Sequence, residues 1–248
     1  MNQSRTKKLM ALLLAIVAIA LTFASCGKNG GTSKVPKEFR GKLMEPYMQL
    51  IVSNKYTYET TPQDTKGGEQ PVFYAKNTDS NVMLTFQIVS GSQSTPCSIY
   101  YTSKEDNDPQ NGNYYYVFSS EGIYTAVPNN TSARNEVAAQ LEKLSIDYLM
   151  GDSFVESGKV SYKGKTYQYE DYSNAKRGVR NRFLFDEDGN LKFMGKVQSN
   201  GKVSNLATIS IYETNPSVFD DVYNYRAVDY YTLFPADQKK AASASAQK

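Results

Sequence analysis

The sequence predicts an α+β domain, a large curved antiparallel sheet with one or two helices packed on its concave side. Three observations predict it. Two blocks of period-two segments are joined by hairpin-type turns, a helical stretch precedes each block, and alternating β and α units are missing. That order excludes a doubly wound sheet. Roughly 200 residues carry the pattern, enough for one sizeable domain.

The first helix falls within Glu38–Val52, where Phe39, Leu43, Tyr47, Leu50 and Ile51 recur at helical spacing. Pro46 predicts a break or kink inside it. From Tyr56 to Val127 the period becomes two. In "NVMLTFQIV", Val82, Leu84, Phe86 and Ile88 share one face, while Met83, Thr85, Gln87 and Val89 share the other. "CSIYYTS" and "NYYYVFSSEGIYTAVP" continue the pattern with "SEG" as a turn, and the polar loop Glu105–Asn113 joins two strands. The clearest helix is "TSARNEVAAQLEKLSIDYLMG", with Val137, Leu141, Leu144 and Tyr148 as its stripe. Thr131 or Ser132 can cap its start, and Gly151 can end it. Strands return at Phe154–Val160, Tyr167–Tyr172, Arg180–Phe185, Leu191–Val197 and Ala207–Tyr212. "YKGKT", "DEDGN" and "QSNGK" connect them as hairpins, the last through Asn200-Gly201. A short helical piece is expected after Pro216, and residues 236–248 read as a disordered tail.

The amino terminus carries an address. Arg5, Lys7 and Lys8 form a basic start, and the 17 residues Leu9–Ser25 hold no charge. That is short for a bilayer span, which takes roughly 20 residues, and the basic, apolar, small-residue order is that of a secretory signal. Phe23-Ala24-Ser25-Cys26 resembles the lipobox of bacterial lipoproteins, with Phe23 where Leu is commoner. The resemblance implies a signal peptide at 1–25 and acyl chains such as palmitate on Cys26. It places the protein in the bacterial cell envelope, lipid-anchored on the outer face of the cytoplasmic membrane, or on the outer membrane if the cell has one. Two or more chains hold a protein stably where one does not. Residues 26–37 then form a flexible tether with a reach of roughly 18 Å as a random coil, and the domain occupies 38–235.

Composition narrows the chemistry. The chain has 28 basic and 25 acidic residues, so beyond the three basic residues of the signal the charges balance. No nucleic-acid partner is expected. With Cys26 consumed, Cys97 is the single remaining thiol, expected buried and inert at the start of a strand. Histidine is absent, which removes the usual general base, the commonest transition-metal ligand and every histidine-dependent triad. Neither Ser153 nor Ser119 and Ser120 sits in a nucleophile elbow. Asp186, Glu187 and Asp188 lack the glycine and glutamate spacing of an EF-hand and read as a hairpin turn. Glu170 and Asp171, like Asp220 and Asp221, are adjacent, so on a strand they would point to opposite faces, in solvated surface roles. No enzyme, cofactor or metal is expected. The 20 tyrosines read either as ordinary half-buried strand composition or as an amphipathic cavity or sugar-stacking platform.

The helix Glu38–Val52, the "KYTYE" strand, the helix Val137–Leu149 and the hairpin "RFLFDEDGNLKFMGKV" together resemble the outer-membrane lipoprotein carrier family and related surface lipoproteins. The resemblance spans residues 38–214. It implies an open half-barrel closed by helices, with an apolar cavity for acyl chains lined here by Leu84, Phe86, Tyr116, Phe183 and Phe193. Two functions follow from different classes. One is a tethered module holding a lipid or other apolar ligand. The other is an interaction or structural lipoprotein whose core is filled by its own side chains and whose loops meet a protein partner.

Overall fold

The computed structural model describes residues 34–63, 70–78, 80–90, 93–103, 113–129 and 131–238. The expected signal peptide, Cys26, residues 105–112 of the polar loop and the tail beyond 238 lie outside them. The chain divides into two units, Met1–Lys34 and Val35–Lys248, and the second carries the sheet. Its core already includes Val35, 3% exposed, ahead of the expected start at Glu38. At the other end, Tyr230 Oη donates to Asp237 Oδ2 (2.9 Å), past the expected end at 235.

Two meanders build the sheet. The first comprises β1 (Lys55–Pro62), β2 (Val72–Asn77), β3 (Asn81–Ser90), β4 (Gln93–Thr102), β5 (Asn113–Phe118) and β6 (Ile123–Ala126). The second comprises β7 (Ser153–Tyr162), β8 (Lys165–Asn174), β9 (Val179–Phe185), β10 (Leu191–Val197) and β11 (Val203–Glu213). β11 returns to pair antiparallel with β1, with Tyr58 opposite Ile211, so β1 lies between the two meanders. β12 (Arg226–Ala227) adds to β6 in parallel. With β12 and β7 at its two ends, the sheet is curved but unclosed.

Helices α1 (Glu45–Val52) and α2 (Ser132–Leu144) share one face of this sheet. Met44, Met48 and Ile51 from the first, and Val137 and Leu141 from the second, pack on Tyr56, Leu84, Ile99, Tyr172, Phe183 and Phe185. Sequence reasoning put one or two helices on the concave face and gave the piece after Pro216 no face. That piece, the 3-10 segment Pro216–Asn224, covers the opposite face of β2–β5, seating Phe219 and Val222 on Met83, Tyr100 and Tyr115. Residues three apart eclipse in a 3-10 turn, which brings both side chains onto the sheet together.

Local chemistry explains the helix ends. The first helix starts at Glu45 rather than near Glu38, because Pro46 has no N–H and fits the first turn but not a helix interior. Ahead of it, a 3-10 turn at Lys37–Phe39 buries Phe39, whose ring stacks on Tyr172 at 4.4 Å. Thr131 caps α2, its side chain accepting from Arg134 N–H (3.3 Å). The helix stops at Leu144, short of the expected Gly151, since Ser145 is extended and its Oγ accepts from Asp147 N–H (3.1 Å). Tyr148 and Gly151 belong to a separate 3-10 turn, Asp147–Gly151.

The adjacent carboxylates Glu170 and Asp171 do point to opposite faces, but neither is a solvated surface group. Glu170, 4% exposed, accepts from the backbone N–H groups of Leu43 (2.8 Å) and Met44 (3.1 Å) and from Tyr172 Oη (2.8 Å). It thereby fastens the start of α1 to β8. Asp171, fully buried, accepts from Arg180 Nε (2.9 Å) and Arg182 Nε (2.7 Å) on β9. Among the described residues no helix is long and apolar enough to cross a membrane.

Candidate binding cleft

Strand register assembles the cleft. Tyr56, Lys76, Val82, Tyr101 and Tyr114 stand opposite one another across β1 to β5 and form one transverse row on the helix-bearing face. Tyr74 lies two residues before Lys76 and therefore shares that face. Over the row, the end of α2 and the following turn supply Leu141, Glu142, Ser145, Asp147 and Tyr148, while Arg177 comes from the β8–β9 connection. The cleft is open to solvent, with a volume of about 460 Å3, within the range of about 300–1,000 Å3 usual for small-ligand sites.

A polar network lies at its base. Lys76 Nζ, on a residue only 7% exposed, pairs with Asp147 Oδ2 at 2.8 Å. Tyr56 Oη donates to Asp147 Oδ1 (2.7 Å) and lies 3.3 Å from Ser145 Oγ. Tyr58 Oη donates to the Leu144 carbonyl. The Tyr74 ring stacks with both Tyr56 (5.9 Å) and Tyr58 (5.4 Å). Removing a lysine and an aspartate from water is costly unless both are well bonded, so such a pair is weak evidence of stabilisation. It does fix geometry.

Aromatic walls complete the cleft. Tyr101 and Tyr114 pack at 4.9 Å, and the Arg134 guanidinium lies 4.7 Å from the Tyr114 centroid. The Arg177 guanidinium lies 4.2 Å from the Tyr148 centroid. Burial pushes the Tyr56 and Tyr58 hydroxyls well above the ordinary phenol range and holds those of Tyr74 and Tyr148 up to about 12. These four hydroxyls stay protonated at neutral pH. They suit hydrogen bonding rather than proton abstraction, which needs a pKa tuned towards the working pH.

Beside the cleft, Asp152 is 3% exposed and accepts from Asn174 Nδ2 (2.8 Å). Burial raises its pKa against the opposing Asn174, Asn181 and Arg177. A carboxyl whose folded pKa is raised stabilises the fold below its unfolded value, about 3.9, and that contribution is lost as pH rises through the folded pKa. Asp152→Asn does not titrate. Its melting temperature relative to the parent chain is therefore expected to shift in the variant's favour between pH 4 and pH 7, as thermal melts across that window would show.

The five residues expected to line an acyl-chain cavity are distributed differently. Leu84 and Phe183 are fully buried in the core. Phe86 and Tyr116 share their face and pack partly buried against it; the Tyr116 ring lies 5.3 Å from Phe234. Phe193 lies on the opposite face, opposite Leu184 and Thr208, with Tyr162 (5.2 Å) and Tyr167 (5.5 Å) edge-on to its ring. It borders an open groove of about 670 Å3 with Lys165, Tyr167, Asp186, Asp188 and Lys192. Asp186 there accepts from the Asn190 backbone N–H (2.8 Å) and pairs with Lys192 (3.1 Å). Burial works against its ionisation, but these partners outweigh it and hold the carboxyl below its usual range. No group of three or more metal-binding side chains occurs among the described residues.

Other singled-out residues play no part in the cleft. Ser119, Ser120 and Ser153 are exposed, and Asp220 is exposed within the 3-10 segment. Cys97 lies inside β4, fully buried, its thiol pushed up to about 12 by burial. Lys76, Asp147, Tyr148 and Arg177 escaped sequence reasoning. The usable signal was Lys76 in "VFYAKN", a lysine in step with Tyr74 on the core-facing side of a strand.

No protein-family model matches the chain, and neither does any curated protein. Similar solved structures include an uncharacterized conserved protein from Thermus thermophilus, with TM-score 0.36, 9% identity, and coverage of 75% of this chain and 96% of that one. A DUF1329 family protein from Desulfovibrio piger has TM-score 0.29, 10% identity, and coverage of 69% and 83%. MucB in complex with MucA(peri) has TM-score 0.26, 8% identity, and coverage of 71% and 57%. All three scores are too low to carry a fold or a function across.

Proposed function

We propose that the chain is a lipid-anchored envelope protein, held through Cys26, that binds its ligand at the polar aromatic cleft and performs no catalysis. The anchor rests on the basic start, the uncharged run and the Phe23–Cys26 match. The choice of this cleft over an acyl-chain cavity rests on one observation. The face that would hold acyl chains is occupied by the protein's own side chains: Met44, Met48, Ile51, Leu84, Leu149 and Phe183 are all fully buried there. That packing favours a filled core over a lipid cavity.

The test is native mass spectrometry of the full-length chain released from detergent, with organic extraction alongside. The proposal expects a covalent mass increment at Cys26 and no further lipid in stoichiometric amount. A second, extractable lipid at one per chain would overturn the filled-core reading.

A further inference from the structure

We infer that the cleft over the transverse row takes a neutral saccharide. The inference rests on the cleft being the binding site, and it is carried by the kinds of group that line it and by their balance of charge.

The lining charges cancel. Lys76 and Asp147 neutralise each other at 2.8 Å, and Arg177 and Glu142 bring one further charge of each sign. A strongly ionic ligand would therefore meet a matching and an opposing charge together. A purely apolar ligand fits no better, since it would displace water from Lys76 and Asp147 without replacing its hydrogen bonds. Four tyrosine rings, Tyr74, Tyr101, Tyr114 and Tyr148, make up most of the rest, with Val82, Leu141 and Ser145 between them. A pyranose presents both required surfaces, apolar C–H faces for the rings and a rim of hydroxyls for the amine, carboxylates and guanidinium.

The chemistry of these groups suits recognition without turnover. The phenols donate and accept as neutral groups, and the Lys76–Asp147 pair is already held by Tyr56 Oη. Such pre-positioned groups lose little freedom on binding. The larger groove at Phe193 differs, because charged side chains dominate its rim and its acidic turn is committed to holding the β9–β10 hairpin.

The experiment is saturation-transfer NMR and calorimetry on the full-length chain in detergent, with glucose, maltotriose, cellotriose and triacetylchitotriose as probes. Glucose 6-phosphate and glucosamine serve as charged analogues. At least one neutral probe should bind. Tyr101→Ala and Arg177→Ala should each weaken it by about ten-fold, the scale of one lost hydrogen-bonding or stacking group. Tyr167→Ala, in the other groove, should leave it unchanged. Arg177 is exposed, so its variant separates loss of binding from loss of fold. The inference is overturned if no neutral probe binds, if neither cleft variant weakens binding, or if a charged analogue binds more tightly than glucose. Failure here with a lipid-free chain leaves the filled-core reading standing, whereas an extractable stoichiometric lipid removes that reading itself.

Discussion

Phe183→Ala is expected to lose about 3–5 kcal/mol of folding stability, the range for deleting a buried phenylalanine from a packed core. The ring is fully buried on β9, edge-on to Tyr172 at 6.0 Å, with Met194 opposite it on β10. It is flanked in register by Glu170 on β8 and Met194 on β10, so the space left behind closes only in part. The size of the effect separates the two functional readings. Were Phe183 part of the wall of an open acyl-chain cavity, truncation would enlarge an existing hollow and cost well under half as much. Urea unfolding of the variant beside the parent chain measures it, with an unchanged slope showing that both unfold from equally packed states.

Asp171→Ala should cost about 3–5 kcal/mol, towards the lower end, because it strips a buried carboxylate from two arginines. Asp171 is fully buried, and both guanidinium groups bond to it. Arg180 also reaches Glu156 at 2.8 Å, and its side chain is 32% exposed, so it can find partial compensation. Arg182, 12% exposed with its guanidinium 3.9 Å from the Tyr169 centroid, has less freedom to do so. Glu156 gives the internal comparison. Its side chain is 49% exposed, and Glu156→Ala should cost only about 0–1 kcal/mol, as exposed ion pairs do. Equal losses at the two positions would contradict the account of Asp171 as the buried pin joining β8 to β9.

Much of the sheet was legible because strand periodicity is a local property. The bounds of β10 coincide with the stretch read from alternation alone, and "DEDGN" and "QSNGK" are turns. What escaped depended on distant partners. Glu170 and Asp171 look like surface acids until Leu43, Met44, Arg180 and Arg182 arrive from other parts of the chain. In "LEKLSIDYLMG" the apolar stripe runs on, yet Ser145 offered its hydroxyl to the backbone and ended α2 at Leu144, ahead of the expected Gly151. That same break turns Asp147 towards Lys76. The cleft was hidden for this reason: its base pairs β2 with a turn 71 residues away, and alternation within either segment says nothing of the other.

The central claim is that α1 and α2 belong to a permanently filled core. Native-state hydrogen exchange tests it most directly, because local opening and global unfolding differ in free energy. The account predicts that the buried amides of α2, around Val137 and Leu141, open only with the global unfolding free energy, as do those of β1 and β9. Opening of either helix well below that energy, while the sheet stays protected, would mark it as a lid over a ligand cavity and contradict the account.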